Sequence, residues 1–239
     1  MDSKTLEEKR KKLLGWEWYE LLKKEFHREY MKFISIYLYN RKKAGAQMCP
    51  ENKELIFNAY RLCPATEVKI AIMGQDPYYT PGTMHGLAFS TKQEYTPKSL
   101  QNIFKEIYND IKPQIPFKDF FPSNDLTCWA QQGVFLLNAV LTGEIGGSKA
   151  HKKIGWQNFT AKTIEILDKK KSPVVFMLWG NDARTLKKYI TSSHHLILEA
   201  AHPSPLSAHK GFMGCRHFSM ANKLIKEHYG VEIDFSTRP

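Results

Sequence analysis

Four short apolar runs stand out along the chain from about residue 68 onwards. Each consists mainly of aliphatic and aromatic residues and is bounded by polar segments, which is the pattern of a buried strand. The segments between the runs are long enough for crossover helices, and such alternation favours a mostly parallel sheet with helices on both faces. We therefore predict an α/β fold with a central, mostly parallel four-stranded sheet. The predicted strands are Val68–Met73, Val134–Val140, Val174–Trp179 and Leu196–Ala200.

Helical patterns precede and separate these runs. From Thr5 to about Lys43, apolar residues recur near helical spacing among good helix formers, so we expect helices that cover a core. Thr160 to Lys171 is the clearest crossover helix, with apolar residues on one face and lysines at its end. The chain has 239 residues, of which 42% are hydrophobic and 13% aromatic. We predict a single domain, 1–239, with a helical N-terminal segment of about 1–45.

Charge and cysteine content narrow the function. The 35 Lys and Arg residues exceed the 24 Asp and Glu residues, giving a formal net charge of +11. A polyanionic partner is therefore the first to consider, and a basic enzyme without such a partner is the alternative. Cys49, Cys63, Cys128 and Cys215 form no C-x-x-C pair, which argues against a zinc site, an iron–sulfur cluster or a redox pair. We expect no metal and no other cofactor, in a reduced intracellular protein.

Neither a membrane span nor a secretory signal is predicted. The longest apolar run, Val174 to Trp179, is far shorter than the about 20 residues that a spanning helix needs. The N-terminal sequence MDSKTLEEKRKKLLGW is charged and lacks the apolar centre of a signal peptide. Its basic run Lys9–Lys12 has two interpretations, a nuclear address or a solvated helix face, and we favour the second.

Polar clusters follow three of the predicted strands. Gln75–Tyr78 follows the first, Asn138 lies at the end of the second, and His202–Ser207 follows the last. Because α/β folds bind their ligands at the carboxyl ends of parallel strands, we expect these three segments to converge on one cleft.

Two long motifs resemble those of family 1 uracil-DNA glycosylases. The run Gly74–Ser90, GQDPYYTPGTMHGLAFS, resembles the water-activating motif of that family, and His202–Ser219, HPSPLSAHKGFMGCRHFS, resembles its DNA-intercalating loop. Between them, TPKSLQNIFKEI, WAQQGVFLLNAVLT and VVFMLWG stand in the order that the family uses. The resemblance covers roughly residues 55–235. Four positions depart from the usual pattern, namely Tyr79 for His, Lys98 for Pro, Ala139 for Thr and Met213 for Phe.

The resemblance implies a three-layer fold and a monofunctional glycosylase. Such an enzyme flips uracil out of DNA, hydrolyses its N-glycosidic bond and leaves an abasic site, which initiates base excision repair. The implied partners are uracil-containing single- or double-stranded DNA and a proteinaceous inhibitor of uracil-DNA glycosylases, and the implied state is a monomer. We expect a cytoplasmic, nucleoid-associated location in a prokaryote, and the nucleus or a viral replication site otherwise.

Two candidate catalytic residues lie in these motifs. A carboxylate at Asp76, on a turn before Pro77, is suited to orient a water and to stabilise positive charge on a sugar, although it could also simply cap the turn. By resemblance it activates the water. No second carboxylate is evident as an acid for the leaving group. By resemblance the neutral imidazole of His202 donates to uracil O2 instead, and an ordinary surface-loop histidine is the alternative.

The candidate uracil pocket comprises Gln75, Tyr78, Phe89 and Asn138. An amide at Asn138 suits the N3–H donor and O4 acceptor of uracil, whereas a buried Asn bonded to nearby backbone is the alternative. By resemblance Phe89 stacks on the flipped base and Tyr78 blocks the 5-methyl group of thymine. A core position is the alternative for Phe89.

The candidate DNA-binding residues are Ser99, Ser204, Leu206 and Ser207. By resemblance the three serines bind backbone phosphates and Leu206 fills the gap that an extruded base leaves. The competing function is a non-catalytic DNA-binding subunit, which would predict loss of Asp76, Asn138 or His202, and all three are present. A serine hydrolase using Ser204 lacks the G-x-S-x-G motif, and a nucleotide-binding enzyme lacks G-x-x-x-x-G-K-[ST].

Overall fold

The structure is a computed structural model that describes residues 3–238; Met1, Asp2 and Pro239, which the predicted domain 1–239 includes, lie outside the described residues. Within that range the chain forms ten α-helices and six strands. The helices are α1 Ser3–Leu14, α2 Trp16–Leu22, α3 Glu29–Lys43, α4 Asn58–Leu62, α5 Lys98–Ile111, α6 Phe117–Phe120, α7 Thr127–Gln131, α8 Trp156–Asp168, α9 Asn181–Arg184 and α10 His217–Tyr229. The strands are β1 Met48–Cys49, β2 Ile70–Gly74, β3 Val134–Asn138, β4 Gly143–Glu144, β5 Val175–Trp179 and β6 Leu196–Ala200.

The central sheet confirms the predicted fold class. Its four strands lie in the order β3-β2-β5-β6, and all neighbouring pairs are parallel. All residues of β2, β3 and β5 are buried, as continuous apolar runs in a sheet covered on both faces should be. The antiparallel ribbon of β1 and β4 was not predicted, because two-residue strands are too short to show an alternating pattern.

Helices cover both faces of the sheet, as predicted. The register pairs Ala71 with Phe135 and with Phe176, so these residues share one face. On that face the ring of Trp18, from α2, stacks on Phe135 at 5.1 Å. The opposite face carries Trp179, whose ring lies 5.9 Å from that of Phe218 in α10. Asn138 also lies on this second face, because strand side chains alternate. No helix within residues 3–238 is long and apolar enough to cross a bilayer.

Element boundaries differ from the predicted ones by a few residues. The strand predicted from Val68 begins at Ile70, after a short helical turn. The strand predicted to Val140 ends at Asn138. The helix predicted over Thr160–Lys171 is α8, which begins at Trp156 after Gly155 at φ 110° and ends at Asp168. Lys170 follows α8 and donates to three backbone carbonyls near β2. The N-terminal helices are α1, α2 and α3, and the single-domain division stays a prediction.

Candidate active site

The three polar segments meet at the carboxyl edge of the sheet, as expected. There a cavity of about 260 Å³ opens beside the ends of β2 and β3. The predicted site residues that line it are Gln75, Asp76, Tyr78, Phe89, Ser99, Asn138, His202 and Ser204. Leu206 and Ser207 do not line this cavity. Tyr79, which departs from the family pattern, also lines it, as do Met84, Ser148 and Lys149, to which sequence reasoning gave no role there.

Asn138 presents a free carboxamide to the cavity. The residue is only 5% exposed, yet its side chain forms no hydrogen bond to any residue between 3 and 238. A buried amide normally finds partners in the protein, so the alternative of an Asn bonded to nearby backbone does not describe this site. Both the Oδ1 acceptor and the Nδ2 donor are available to a ligand.

Gly74 makes room for that carboxamide. It ends β2 and pairs with Asn138 across the sheet. A Cβ atom at position 74 would collide with Oδ1 of Asn138 and would approach Cβ of Ala88 to 2.9 Å. The backbone of Gly74 is not left-handed, so the requirement for glycine there is purely steric. Sequence reasoning placed Gly74 at the start of a motif but missed this role, because the partner lies on another strand.

Phe89 is held in a strained conformation beside the cavity. Its φ of 65° lies in the left-handed region, which costs a bulky residue about 1–3 kcal/mol and occurs mainly at functional sites. Tyr78 donates its hydroxyl proton to the Phe89 carbonyl at 3.0 Å. Burial raises the pKa of Tyr78, so the phenol stays a neutral donor. The Phe89 ring lies 5.7 Å from Trp179 and 5.9 Å from His202, so its position is fixed on two sides.

The tautomer of His202 follows from its hydrogen bond. Nδ1 accepts the backbone N–H of Ser204 at 3.0 Å, so in the neutral ring the proton is on Nε2. Burial lowers the pKa of His202, while the nearby charge of Asp182 acts in the opposite direction. A neutral imidazole with Nε2–H as a donor is therefore favoured at neutral pH.

Asp76 lies on the turn after β2, where charges of both signs surround it. Burial raises the pKa of Asp76, and the backbone N–H and the charge of Lys149 oppose that rise. The amide of Gln75 donates to Asp182, which also pairs with Lys152 at 2.9 Å. The Gln75 side chain is thereby tied to α9. Asp76 is partly buried, and the positive charges of Lys149 and Lys152 favour its ionised form, whereas burial and Asp182 disfavour it.

The loop after β6 contains the other predicted DNA-binding residues. Leu206 is 84% exposed. Ser207 donates its hydroxyl proton to the His202 carbonyl at 2.8 Å, and its oxygen lies 3.0 Å from that of Ser204. Ser207 thus braces the loop and lines a neighbouring groove of about 570 Å³ rather than the cavity. The cationic side chains along this groove are Lys149, Lys152, Arg184 and Lys210.

The site combines one carboxylate, one neutral imidazole and a base-sized cavity, and it lies beside a basic surface. Fold and site together are those of a glycosidase. Among residues 3–238, no group of three or more His, Cys, Asp or Glu side chains is placed to hold a metal ion. The carboxylate and the imidazole of the site are suited to hydrogen bonding, charge stabilisation and activation of water.

Comparison with known proteins identifies the family. The model of the Uracil DNA glycosylase superfamily matches residues 60–226, and the chain belongs to that superfamily. The uracil-DNA glycosylase of Borrelia turicatae (strain 91E135) is 48% identical over 219 residues, which is 91% of this chain and 96% of the relative. That of Azotobacter vinelandii (strain DJ / ATCC BAA-1303) is 46% identical over 219 residues, which is 91% and 92% of the two chains. The resemblance found in the motifs is thereby confirmed.

Solved structures of the same family share the fold. The crystal structure of mimivirus uracil-DNA glycosylase superposes with a TM-score of 0.83 at 25% identity, covering 93% of this chain and 87% of that one. A variant of mimivirus UNG in complex with UGI superposes equally well, with a TM-score of 0.83 at 25% identity over 93% and 89% of the two chains. The three-layer fold implied by the motifs is confirmed.

Proposed function

We propose that this chain removes uracil from DNA by hydrolysing its N-glycosidic bond, leaving free uracil and an abasic site at the start of base excision repair. Membership of the uracil-DNA glycosylase superfamily supports the activity. The observation that carries the proposal is the unpaired carboxamide of Asn138, which opens into the same cavity as Asp76 and His202. A cavity of about 260 Å³ suits a single base extruded from the stack.

Recognition of the base is assigned to three side chains. Asn138 accepts N3–H of uracil through Oδ1 and donates to O4 through Nδ2, whereas cytosine presents the opposite pattern at both positions. Phe89 stacks on the base, which any base would permit. Tyr78, fixed by its bond to Phe89, excludes the 5-methyl group of thymine. Discrimination therefore rests on Asn138 and Tyr78.

Bond cleavage places negative charge on uracil and positive charge on the sugar, and one residue stabilises each of these charges. As the bond between C1′ and N1 breaks, the electron pair stays with uracil, and His202 donates a hydrogen bond from Nε2 to O2. Asp76 stabilises the positive charge at C1′ and orients the water whose oxygen bonds to that carbon. The released proton passes to Asp76 and then to solvent. A preorganised donor at developing negative charge contributes about 3–4 kcal/mol, so His202 accounts for a large part of the rate.

Contact with the DNA is assigned to the loop after β6, to Ser99 and to the basic groove. Leu206, exposed on that loop, fills the gap left by the extruded base. To bind phosphates, which offer only acceptors, Ser204 turns its hydroxyl proton away from the Ser207 oxygen, and Ser207 turns its own away from the His202 carbonyl. We further propose single- and double-stranded DNA as substrates, a monomeric enzyme, and a proteinaceous inhibitor as a partner.

The test is base release from oligonucleotides that carry one U, T or C, assayed with a chelator present. The proposal predicts free uracil from the U strand alone, with the sugar–phosphate backbone intact before alkali treatment. Binding of the U strand without release would identify a non-catalytic DNA-binding subunit instead. Release of thymine or cytosine at a comparable rate would contradict the roles assigned to Tyr78 and Asn138.

A further inference from the structure

Helix α5 holds both ends of the exposed loop 203–216, which contains Leu206. Near the start of the loop, Asn102 donates its side-chain N–H to the Pro203 carbonyl at 2.8 Å. Near the end, Glu106 accepts the backbone N–H of Gly214 at 2.5 Å and that of Arg216 at 2.9 Å. The partners are about a hundred residues apart in the chain, so these bonds belong to the folded state alone.

The anchors occur once per turn on one face of α5. Asn102, Glu106 and Asp110 are four residues apart, a spacing that aligns side chains along a helix. Asp110 accepts both the backbone N–H and the hydroxyl of Ser219, at 2.8 Å and 2.6 Å, and so fixes the first turn of α10 behind the loop. Ser99, which lines the cavity, lies in the first turn of the same helix.

Glu106 is buried at a cost that its loop contacts offset. Its exposure is 1%, and an ionised carboxylate in such a place is unfavourable unless donors surround it. Besides the two backbone donors, the Cys215 thiol contacts Glu106. Burial raises the pKa of Cys215 to about 12, and the nearby charge of Glu106 contributes to that rise. Arg216 has a left-handed φ of 55°, which needs outside support in a residue other than glycine. The carboxylate therefore sustains a loop conformation that the loop sequence does not favour by itself.

We propose that Asn102 and Glu106 are positioning residues, which fix the height of Leu206 above the cavity. This inference rests on the proposed function, because it assigns to α5 the alignment of the wedge with the pocket. Helix α5 carries Ser99 at the cavity as well as Asn102 and Glu106, which hold the loop. The position of Leu206 relative to the cavity is therefore set by α5. Turnover of duplex DNA depends on that position, because Leu206 must fill the gap that the extruded base leaves in the stack. A single strand has no such gap.

The main test is Glu106→Gln, which keeps the shape of the side chain. The amide retains one acceptor oxygen and turns an N–H donor towards a backbone N–H, so one loop bond is lost and a repulsive contact replaces it. We expect turnover on duplex DNA to fall about 10-fold, as loss of a charge-assisted bond of this kind implies, with little change on single strands. Equal loss on both substrates would overturn the proposal.

The matched control is Asp168→Asn. Asp168 is also a buried carboxylate, 6% exposed, and accepts the backbone N–H groups of Thr191 and Ser192 in a loop far from the cavity. Its substitution removes the same kind of bond and should leave the ratio of duplex to single-strand turnover unchanged. A shift in that ratio in both variants would mean that it reports general destabilisation.

A double-mutant cycle and an activity-free readout complete the test. In a Leu206→Ala background, Glu106→Gln should cost duplex turnover less than it does in the wild type, because the residue that it positions is gone. Strictly additive losses would overturn the proposal. Amide exchange at Gly214 and Arg216, followed by NMR, should accelerate about 10-fold or more in Glu106→Gln as the loop opens locally. Unchanged exchange would refute the anchor, whereas accelerated exchange in a chain that releases no uracil would refute only the proposed function.

Asn102→Ala provides a second route if Glu106→Gln does not fold. It removes one bond, to the Pro203 carbonyl, and leaves no charge unpaired. Its control is Gln101→Ala, because Gln101 donates from the same helix to the Thr96 carbonyl at 2.7 Å, away from the loop. We expect the duplex reaction to be impaired selectively in Asn102→Ala and not in Gln101→Ala, and identical behaviour of the two would overturn the role of Asn102.

Discussion

Gly74→Ala is the substitution that tests the pocket most sharply, because it adds one methyl group to a residue with no chemistry of its own. The new Cβ would collide with Oδ1 of Asn138 and lie 2.9 Å from Cβ of Ala88. Ala88 is fixed by its backbone bond to Leu136, so the carboxamide of Asn138 is the group that must move. The substitution therefore displaces the base-recognising amide without removing it.

The expected loss of excision rate follows from the two hydrogen bonds that Asn138 makes to uracil. A displaced Asn138 forfeits its hydrogen bonds to N3–H and O4 of uracil, which together are worth about 2–4 kcal/mol when donors and acceptors are left unpaired. Since each 1.4 kcal/mol is a factor of ten, excision should slow about 30- to 700-fold. Overpacking costs about 1–3 kcal/mol of stability, which lowers the melting temperature of a chain this long by about 2–12 °C.

The assay is single-turnover uracil release from a single-stranded oligonucleotide, paired with thermal denaturation. Gly143→Ala is the control, because Gly143 also lacks a left-handed φ and its added Cβ would meet nothing nearer than Cys49 at 4.0 Å. That variant should keep wild-type activity. A folded Gly74→Ala protein that releases uracil at the wild-type rate would refute the assignment of Asn138 as the base-recognising residue.

Three further predictions follow from the site and its burial. Tyr78→Ala should release measurable thymine from normal DNA, because the obstacle to the methyl group is gone, and failure to do so would place methyl exclusion elsewhere. Asn138→Asp should release cytosine, because a protonated carboxyl can donate to N3 and accept from the 4-amino group; a variant inactive on C but active on U would contradict this. Burial lowers the pKa of His217 from 6.5 to about 4, so between these pH values His217 is protonated in the unfolded chain but neutral in the folded one. The free energy of unfolding, measured in urea, should therefore rise with pH between about 4 and 6.5. His217→Gln should flatten that rise, and an unchanged slope would rule His217 out as its source.

Much of the fold could be predicted because its strands are simple in sequence. Buried parallel strands give uninterrupted apolar runs. The polar residues Asp76 and His202 follow two of these runs closely, and Asn138 lies at the end of a third. Because ligands bind at the carboxyl ends of parallel strands, the sequence alone predicts that these residues lie together. The motif resemblance supplied the roles, which remain predictions until the variants are measured.

The remaining features depend on partners that are distant in sequence. The requirement for glycine at position 74 depends on a side chain in β3, and Lys149 reaches the cavity from a long irregular loop. The anchors of Glu106 join α5 to a loop about a hundred residues away. Ser207 braces its own loop because a hydroxyl takes whichever acceptor lies nearest, which spacing alone does not reveal. No local pattern encodes such contacts, so sequence periodicity could not find them.

We propose that Asp76 acts on the chemical step and not on DNA binding. The most direct measurement is free uracil released in a single turnover by wild type and by Asp76→Asn, with the affinity of each for the same uracil-containing DNA measured in parallel. We expect one uracil per strand from the wild type. For Asp76→Asn we expect a rate at least about 100-fold lower at nearly unchanged affinity, because a carboxylate at developing charge has been removed. Equal rates, or a loss of affinity as large as the loss of rate, would contradict it.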